Sequence, residues 1–199
     1  MQDFLPIVNL YRKVEDILST YTSPTVACDA GCAHCCHLPV DVTAGEFMTL
    51  LNHLLLTCTD KELERVRQAA QVYSDVSART PEENRAAVRT PCALLVNDRC
   101  SAYEVRPLAC RGFHSLSVSE CVEAFRPENV RKSFPFADAR RALVASKASA
   151  MLVEACNSAG KDTRTYDLGA ALALALAAPD TLRERWDAGE VLLPSVKPA

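Results

Sequence analysis

Long apolar runs, glycine, aromatics and a surplus of either charge are all scarce in this chain of 199 residues. No window approaches the roughly 18 uninterrupted apolar residues of a membrane-spanning helix. The longest candidate, 169–178, is ten residues of mostly Ala and Leu. The start, Met1-Gln2-Asp3-Phe4-Leu5-Pro6 followed by Arg12, Lys13, Glu15 and Asp16, lacks the basic start, apolar run and small-residue cleavage site of a secretory signal. These absences predict a cytoplasmic protein with no membrane association. Six glycines leave few places for a phosphate cradle, and there is no Gly-rich phosphate loop, nucleophile elbow or helical His-Glu-x-x-His. With aromatics at 6% and a formal net charge of −3, no stacking platform and no bulk attraction to nucleic acid or anionic membrane is expected.

What is present describes an ordinary globular interior. The hydrophobic fraction is 49% and the charged fraction 24%, close to globular averages, so disorder is not expected. The length fits a single domain over 1–199. Helical signals dominate it. Residues 4–20 carry Leu5, Val8, Val14, Ile17 and Leu18 on a broad apolar face. Thr43-x-x-Glu46 and Thr59-x-x-Glu62 read as capping boxes. The first precedes Phe47, Leu50, Leu51, Leu54 and Leu55, the second Leu63, Val66, Ala70, Tyr73 and Val76, all at helical spacing. Thr80-Pro81-Glu82-Glu83 and Ser117-Val118-Ser119-Glu120 are two more box-like starts, and 138–158, 166–178 and 181–188 also read as helices, with Pro179 between the last two. Ala93-Leu94-Leu95-Val96, then Asn97-Asp98, then Arg99-Cys100-Ser101, reads as a short hairpin. No strand–helix alternation is present, which excludes a parallel sheet. The tail 193–199 reads as loose. The expected fold is mainly α: a helical bundle with a short β-hairpin and a Cys-rich metal-binding loop region. Its cysteine core spans about 28–121, and C-terminal helices over about 136–190 pack on it.

Against this background, ten cysteines are the anomaly. In a reducing cytosol thiols stay thiols unless a metal takes them, which disfavours a disulfide scaffold. Cys28, Cys32, Cys35 and Cys36 fall within nine positions, and on a helical turn they share a sector of about 100°. Gly31 and the following Leu38-Pro39 argue for a tight local turn rather than a long helix. Cys92 and Cys100 flank the hairpin, Cys110 follows in Arg106-Pro107-Leu108-Ala109-Cys110-Arg111, and Cys121 sits just inside a capped helix. Four plus four thiols suit zinc in tetrahedral thiolate, or an iron–sulfur cluster. Cys58 and Cys156 fall on apolar helical faces, Cys156 with Ala142, Ser149 and Val153, and read as core residues.

The pattern Cys28-x₃-Cys32-x₂-Cys35-Cys36, then Pro91-Cys92, Asn97-Asp98-Arg99-Cys100-Ser101-x-Tyr103-x-x-Arg106-Pro107-x-x-Cys110-Arg111, resembles the YkgJ-type cysteine-cluster family. The resemblance implies zinc or iron chelation by Cys28, Cys32, Cys35, Cys36, Cys92, Cys100, Cys110 and Cys121, about half the chain. Relatives that methylate flagellin lysines imply an iron–sulfur option. It supplies no activity for this chain.

Other residues near the cysteines divide between ligand and support. His34 and His37 could ligate or donate to a thiolate; His114, four residues after Cys110, is a weaker candidate, and His53 reads as solvated. Two four-thiolate sites holding divalent metal would take the net charge from −3 to about −7, and Arg99, Arg106 and Arg111 are placed to neutralise it. Tyr103 is expected to close the hairpin core. Three function classes are consistent with this pattern. They are a structural metal site supporting a protein partner, an iron–sulfur enzyme of protein-modifying, methylase-like type or an electron carrier, and a metal or redox sensor. Cys28-x₃-Cys32-x₂-Cys35 matches the radical-SAM spacing, but the chain lacks the strand–helix repeats of such a barrel.

Overall fold

Side-chain caps decide where most of the helices begin, and the order of elements follows from them. The computed structural model describes residues 4–29, 31–125 and 137–193. Among these residues the order is α1 (Leu5–Ser19), β1 (Asp41–Thr43), α2 (Ala44–Thr57), α3 (Asp60–Arg79), β2 (Leu95–Val96), β3 (Arg99–Cys100), α4 (Leu108–Gly112), α5 (Val118–Ala124), α6 (Ala139–Ser158), β4 (Thr165–Asp167), α7 (Leu168–Ala175) and α8 (Pro179–Ala188). Short 3-10 turns lie at His34–His37, Glu82–Ala87 and Tyr103–Val105. The protein is mainly α, with two small antiparallel pairs, β1–β4 and β2–β3. No helix among the described residues is long and apolar enough to cross a membrane.

Thr43 and Thr59 make complete capping boxes with Glu46 and Glu62. Ser117, Asp138 and Asp167 cap α5, α6 and α7 through side-chain oxygens. These bonds satisfy backbone N–H groups that the first helical turn leaves open. α2 is the central element: Ala44 through Leu51 and Leu54 are all buried. Around it pack Tyr11 and Val14 of α1, Val66 and Ala70 of α3, Leu152 of α6 and Leu172 of α7 in one continuous apolar cluster. Each large side chain in it contributes roughly 1.5–3 kcal/mol by leaving water.

The hairpin forms as expected. Leu95 pairs Cys100 and Val96 pairs Arg99, with Asn97 and Asp98 both at positive φ in the tight turn. Several expectations are corrected. The buried stripe of α1 is Ile7, Tyr11, Val14 and Leu18, one helical turn after another, which leaves Leu5 and Ile17 exposed. Leu55 and Val76 also face outward. Thr80 does not open a helix. It ends α3, donating its hydroxyl to the Val76 carbonyl, and only a 3-10 turn follows. There the Arg85 guanidinium is drawn across to Asp41 and Asp167, a tertiary pairing that outweighs local helix preference. Tyr166 begins no helix either. It pairs with Val42 in β4, and the capping oxygen of Asp167 delays α7 to Leu168. The buried stripe of α6 is Arg141, Ala145, Ala148, Leu152 and Cys156; Ser149 and Val153, beside Cys156, are half-buried at its edge, and Ala142 is exposed. The expectation for the tail beyond Leu193 lies outside the described residues.

In the β1–β4 pair, Asp41 stands opposite Asp167. Like charges so placed repel, and Arg85 between them offsets the repulsion with a 2.8 Å contact to Asp167. The Tyr73 hydroxyl donates to the same carboxylate at 2.7 Å. Its ring reaches that position by lying on the backbone of α7 at Gly169, where an added Cβ would meet ring atoms at 2.2–2.6 Å. Gly169→Ala gains helix propensity of about 1 kcal/mol but must displace a buried ring, an overpacking cost of about 1–3 kcal/mol. A net loss of stability is therefore expected, read as a lower denaturant midpoint; an unchanged or higher midpoint would show that Tyr73 does not depend on this close approach.

Candidate metal centre

The first cysteine segment is a loop held between two arms. Gly31, at φ +88°, turns the chain in a way a side chain would resist. Turn bonds Cys32 N–H to Asp29 carbonyl and Cys36 N–H to Ala33 carbonyl, both 3.0 Å, keep the loop tight, and it ends in the 3-10 turn. The four cysteines thus do not share one helical face. At one end, Ala27 N–H donates to the Ser115 carbonyl at 2.8 Å, and Ser115 N–H donates to the Cys28 sulfur at 3.2 Å. At the other end, Cys92 N–H donates to the Cys36 carbonyl at 2.7 Å. Arg140 and Arg141 of α6 fix the approach to the loop by donating to the Ser23 and Tyr21 carbonyls.

The arms carry the remaining thiols. One runs through Ser115 into α5 with Cys121, which is buried. The other is the β2–β3 hairpin with Cys92 and Cys100, continuing to Cys110 on α4. The electrostatic neighbours of each thiol describe two groups. Burial pushes Cys28 up, and Cys32, Cys35 and Cys121 add to the rise. Burial likewise raises Cys121, with Cys32 and Cys35 contributing. In the other group burial pushes Cys92 up to about 11, with Cys100 and Cys35 adding to it. Burial raises Cys110 too, reinforced by Cys92, Cys35 and Cys100. Cys35 belongs to both groups. Its own thiol is raised chiefly by a hydrogen bond with Cys36, then by burial. Thiols so gathered hold their protons against one another, a resistance that a bound cation reverses.

All eight thiols named in the sequence reading therefore lie along one loop and its two arms. All ten cysteines are free. Cys58 terminates α2, half-buried against the core, and Cys156 is buried on α6 near Gly45. Among the described residues, no three Cys, His, Asp or Glu side chains as placed stand together closely enough to hold an ion. The donor chemistry nonetheless fits a thiophilic metal, and each sulfur can sweep between staggered rotamers about its own Cα–Cβ bond.

The arginines are placed differently from expectation. Arg99 is exposed on β3. Arg106 bonds Glu15 at 2.8 Å, and Arg111, 3% exposed, bonds Glu15 and the carbonyls of Arg106 and Glu104. Their hydrogen bonds thus go to a carboxylate and to the backbone, yet their charge still reaches the thiols. Arg106 lowers Cys35 and Cys100, and Arg111 lowers Cys100, against the stronger rise from burial. Tyr103 does not close the hairpin: it is exposed, with the Arg106 guanidinium 3.8 Å above its ring. His34 and His37 both lie against the Phe125 ring, and His37 Nδ1 bonds the Ala33 carbonyl at 3.0 Å. Among the described residues the buried His114 Nδ1 has no hydrogen-bond partner, and His53 is half-buried on α2.

Four residues that support the centre were missed by the sequence reading: Tyr11, Glu15, Glu46 and Ser115. Glu46 is 3% exposed, and beyond its capping role its Oε1 accepts the Leu108 N–H at 2.7 Å, fixing the first turn of α4 two residues before Cys110. A cleft of about 620 Å³ between α4 and α6, lined by Ala109, Gly112, Ala142 and Ser149 among others, includes no cysteine.

Residues 27–137 match the family model CxxCxxCC, described as a "putative zinc- or iron-chelating domain". In this chain the first gap holds three residues, Asp29, Ala30 and Gly31. No curated protein and no solved structure matches the chain.

Arg111 binds a carboxylate and two carbonyls and lies over the Tyr11 ring at 4.5 Å, a planar set of contacts that an ammonium cannot reproduce. Arg111→Lys should lower the stability of the metal-free protein by about 2 kcal/mol, measured by urea unfolding. An unchanged midpoint would show that these contacts do not hold the α4 segment.

Proposed function

Because this chain belongs to the CxxCxxCC family, we propose that it chelates zinc or an iron–sulfur cluster through Cys28, Cys32, Cys35, Cys36, Cys92, Cys100, Cys110 and Cys121. The observation that carries this reading is the fastening of the 28–36 loop to both cysteine-bearing arms, by Ser115 N–H on the Cys28 sulfur at 3.2 Å and by Cys92 N–H on the Cys36 carbonyl at 2.7 Å. One group then uses Cys28, Cys32 and Cys121, the other Cys92, Cys100 and Cys110, with Cys35 available to both and Cys36 beside it. Bound there, zinc would cross-link the loop and its arms, and an iron–sulfur cluster would add one-electron transfer.

The chain's own residues prepare this site. The Ser115 N–H orients the Cys28 sulfur. The guanidinium groups of Arg106 and Arg111 favour ionised sulfur at Cys100, and Glu15 fixes both arginines. The cysteine-bearing elements are short: strands of two residues, and helices of five and seven. Such elements have little regular hydrogen bonding of their own, so metal–thiolate bonding contributes folding free energy in this region. We take a structural cross-link supporting a protein partner as the role that best fits these short elements.

Anaerobic purification with elemental analysis and a visible spectrum tests the proposal. Iron with sulfide and a broad visible band would identify a cluster; a colourless protein with stoichiometric zinc would identify a zinc site; a protein that takes up neither would refute the reading. Cys35→Ser and Cys100→Ser should each lower metal content by half or more, while Cys58→Ser should leave it unchanged. The opposite pattern would overturn the ligand assignment.

A further inference from the structure

We propose, resting on the metal-binding reading above, that Phe125 is a positioning residue: its ring holds His34 and His37 out of the ligand set, so that the turn between them offers the metal its thiols alone. Three nitrogen-bearing side chains gather on this one ring. The His34 imidazole centroid lies 5.6 Å from that of Phe125, with the planes tilted by 50°. The His37 imidazole meets the ring edge-on at 6.0 Å, at 80°. The Arg89 guanidinium lies over it at 5.0 Å. These are the separations of paired aromatic rings and of a cation on a ring face.

Local geometry explains why both histidines reach the same ring. His34–His37 is a 3-10 turn. With three residues per turn, side chains at i and i+3 eclipse, so His34 and His37 share one side of it, and Cys35 and Cys36 fall on the other two. Two backbone carbonyls fix the turn about its axis. The Cys36 carbonyl accepts the Cys92 N–H at 2.7 Å, and the Ala33 carbonyl accepts from His37 Nδ1 at 3.0 Å. That bond leaves Nε2 as the one nitrogen of neutral His37 with a lone pair to offer. Phe125 closes α5, donating its N–H to the Val122 carbonyl at 3.2 Å. It follows Cys121 by four residues, and so lies one turn along the same side of α5. The ring therefore fastens three segments: the 34–37 turn through both histidines, α5 through its own backbone, and the approach to Cys92 through Arg89, three residues earlier. Neutral imidazole is itself a good zinc ligand. Two histidines that bracket two proposed thiolate ligands would compete with them unless held aside, and the phenyl ring does so without offering a lone pair.

The test uses the full chain with Phe125→Leu, which keeps apolar bulk and removes the ring, Phe125→Tyr, which keeps the ring, and the double change His34→Ala with His37→Ala. Proton NMR of the metal-free protein reads the clamp. Wild type and Phe125→Tyr should show two imidazole C–H sets displaced by the ring, and Phe125→Leu should return both to the positions of solvated histidine. Wild-type resonances already at those positions would overturn the clamp. The visible spectrum of the Co²⁺ form reads the ligand set. Removing both histidines should leave the wild-type spectrum unchanged. Phe125→Leu should weaken the thiolate-to-cobalt band and lower zinc affinity about tenfold, measured by competition with a chromophoric chelator. Removing the histidines from Phe125→Leu should restore the band, which loss of structure alone would not allow. A wild-type band that changes when the histidines are removed would show that they ligate and overturn the role of Phe125; a Phe125→Leu band equal to that of wild type would do the same. The histidine arm needs no change at 125, so it decides the matter should Phe125→Leu fail to fold. A wild type that binds neither zinc nor cobalt would overturn the metal reading and the ligand-set role together, an outcome separate from loss of the NMR displacement, which overturns the clamp alone.

Discussion

Glu46 is the joint on which the arrangement turns. It is a buried carboxylate whose two oxygens accept three hydrogen bonds, two from Thr43 and one from the Leu108 N–H. A carboxylate is kept inside a protein only when its lone pairs are used. Here the same group starts α2, the most buried helix, and holds the first turn of α4, the helix that carries Cys110. The apolar core and the cysteine-bearing segment are therefore fastened through one side chain. Arg111, on the same α4, lies over the Tyr11 ring of α1, so this packing depends on that bond as well.

Charge is distributed around the centre in two steps. Arg106 and Arg111 share one carboxylate, Glu15, and bring positive charge to the hairpin thiols, while the buried Glu46 carboxylate at the first turn of α4 opposes it at Cys110. Arg111 carries part of that charge at 3% exposure, where it is screened least. Thiols that repel ionisation in one another thus sit next to cations that favour it. At Cys100 the rise from burial is partly offset by the two guanidinium groups.

Local signals in the sequence were reliable where no distant partner competes with them, and the box-like start at Thr80 fails where Arg85 is drawn to Asp41 and Asp167. The boxes at Thr43 and Thr59, the cap at Ser117 and the Asn97-Asp98 turn all depend on contacts within a few positions, and all form. Mainly-α character followed from them. The family was legible for the same reason, since cysteine spacing is itself a local property. Long-range features were not legible. Val42 pairs with Tyr166, in strands of three residues too short to register as strands. Arg111 meets Glu15 across 96 positions, and Tyr73 meets Asp167 across 94. Tyr103 illustrates the converse: its place beside Cys100 suggested a core role, but the Arg106 guanidinium draws its ring to the surface. Proximity in sequence to a site does not fix the direction of a side chain.

The bond from Ser115 N–H to the Cys28 sulfur spans 87 residues. Closing so long a loop costs configurational entropy that grows with the logarithm of its length, and contacts of this range form late. During synthesis the loop at residues 27–37 emerges well before either arm, so its four thiols wait exposed until Cys121 has left the ribosome. All of the centre's elements exist once Cys121 is made, while α6, β4 and α7, which complete the core around α2, follow later in the chain. With the proposed ligand set, an ion captured by the loop before the arms are made would be held by only half of it.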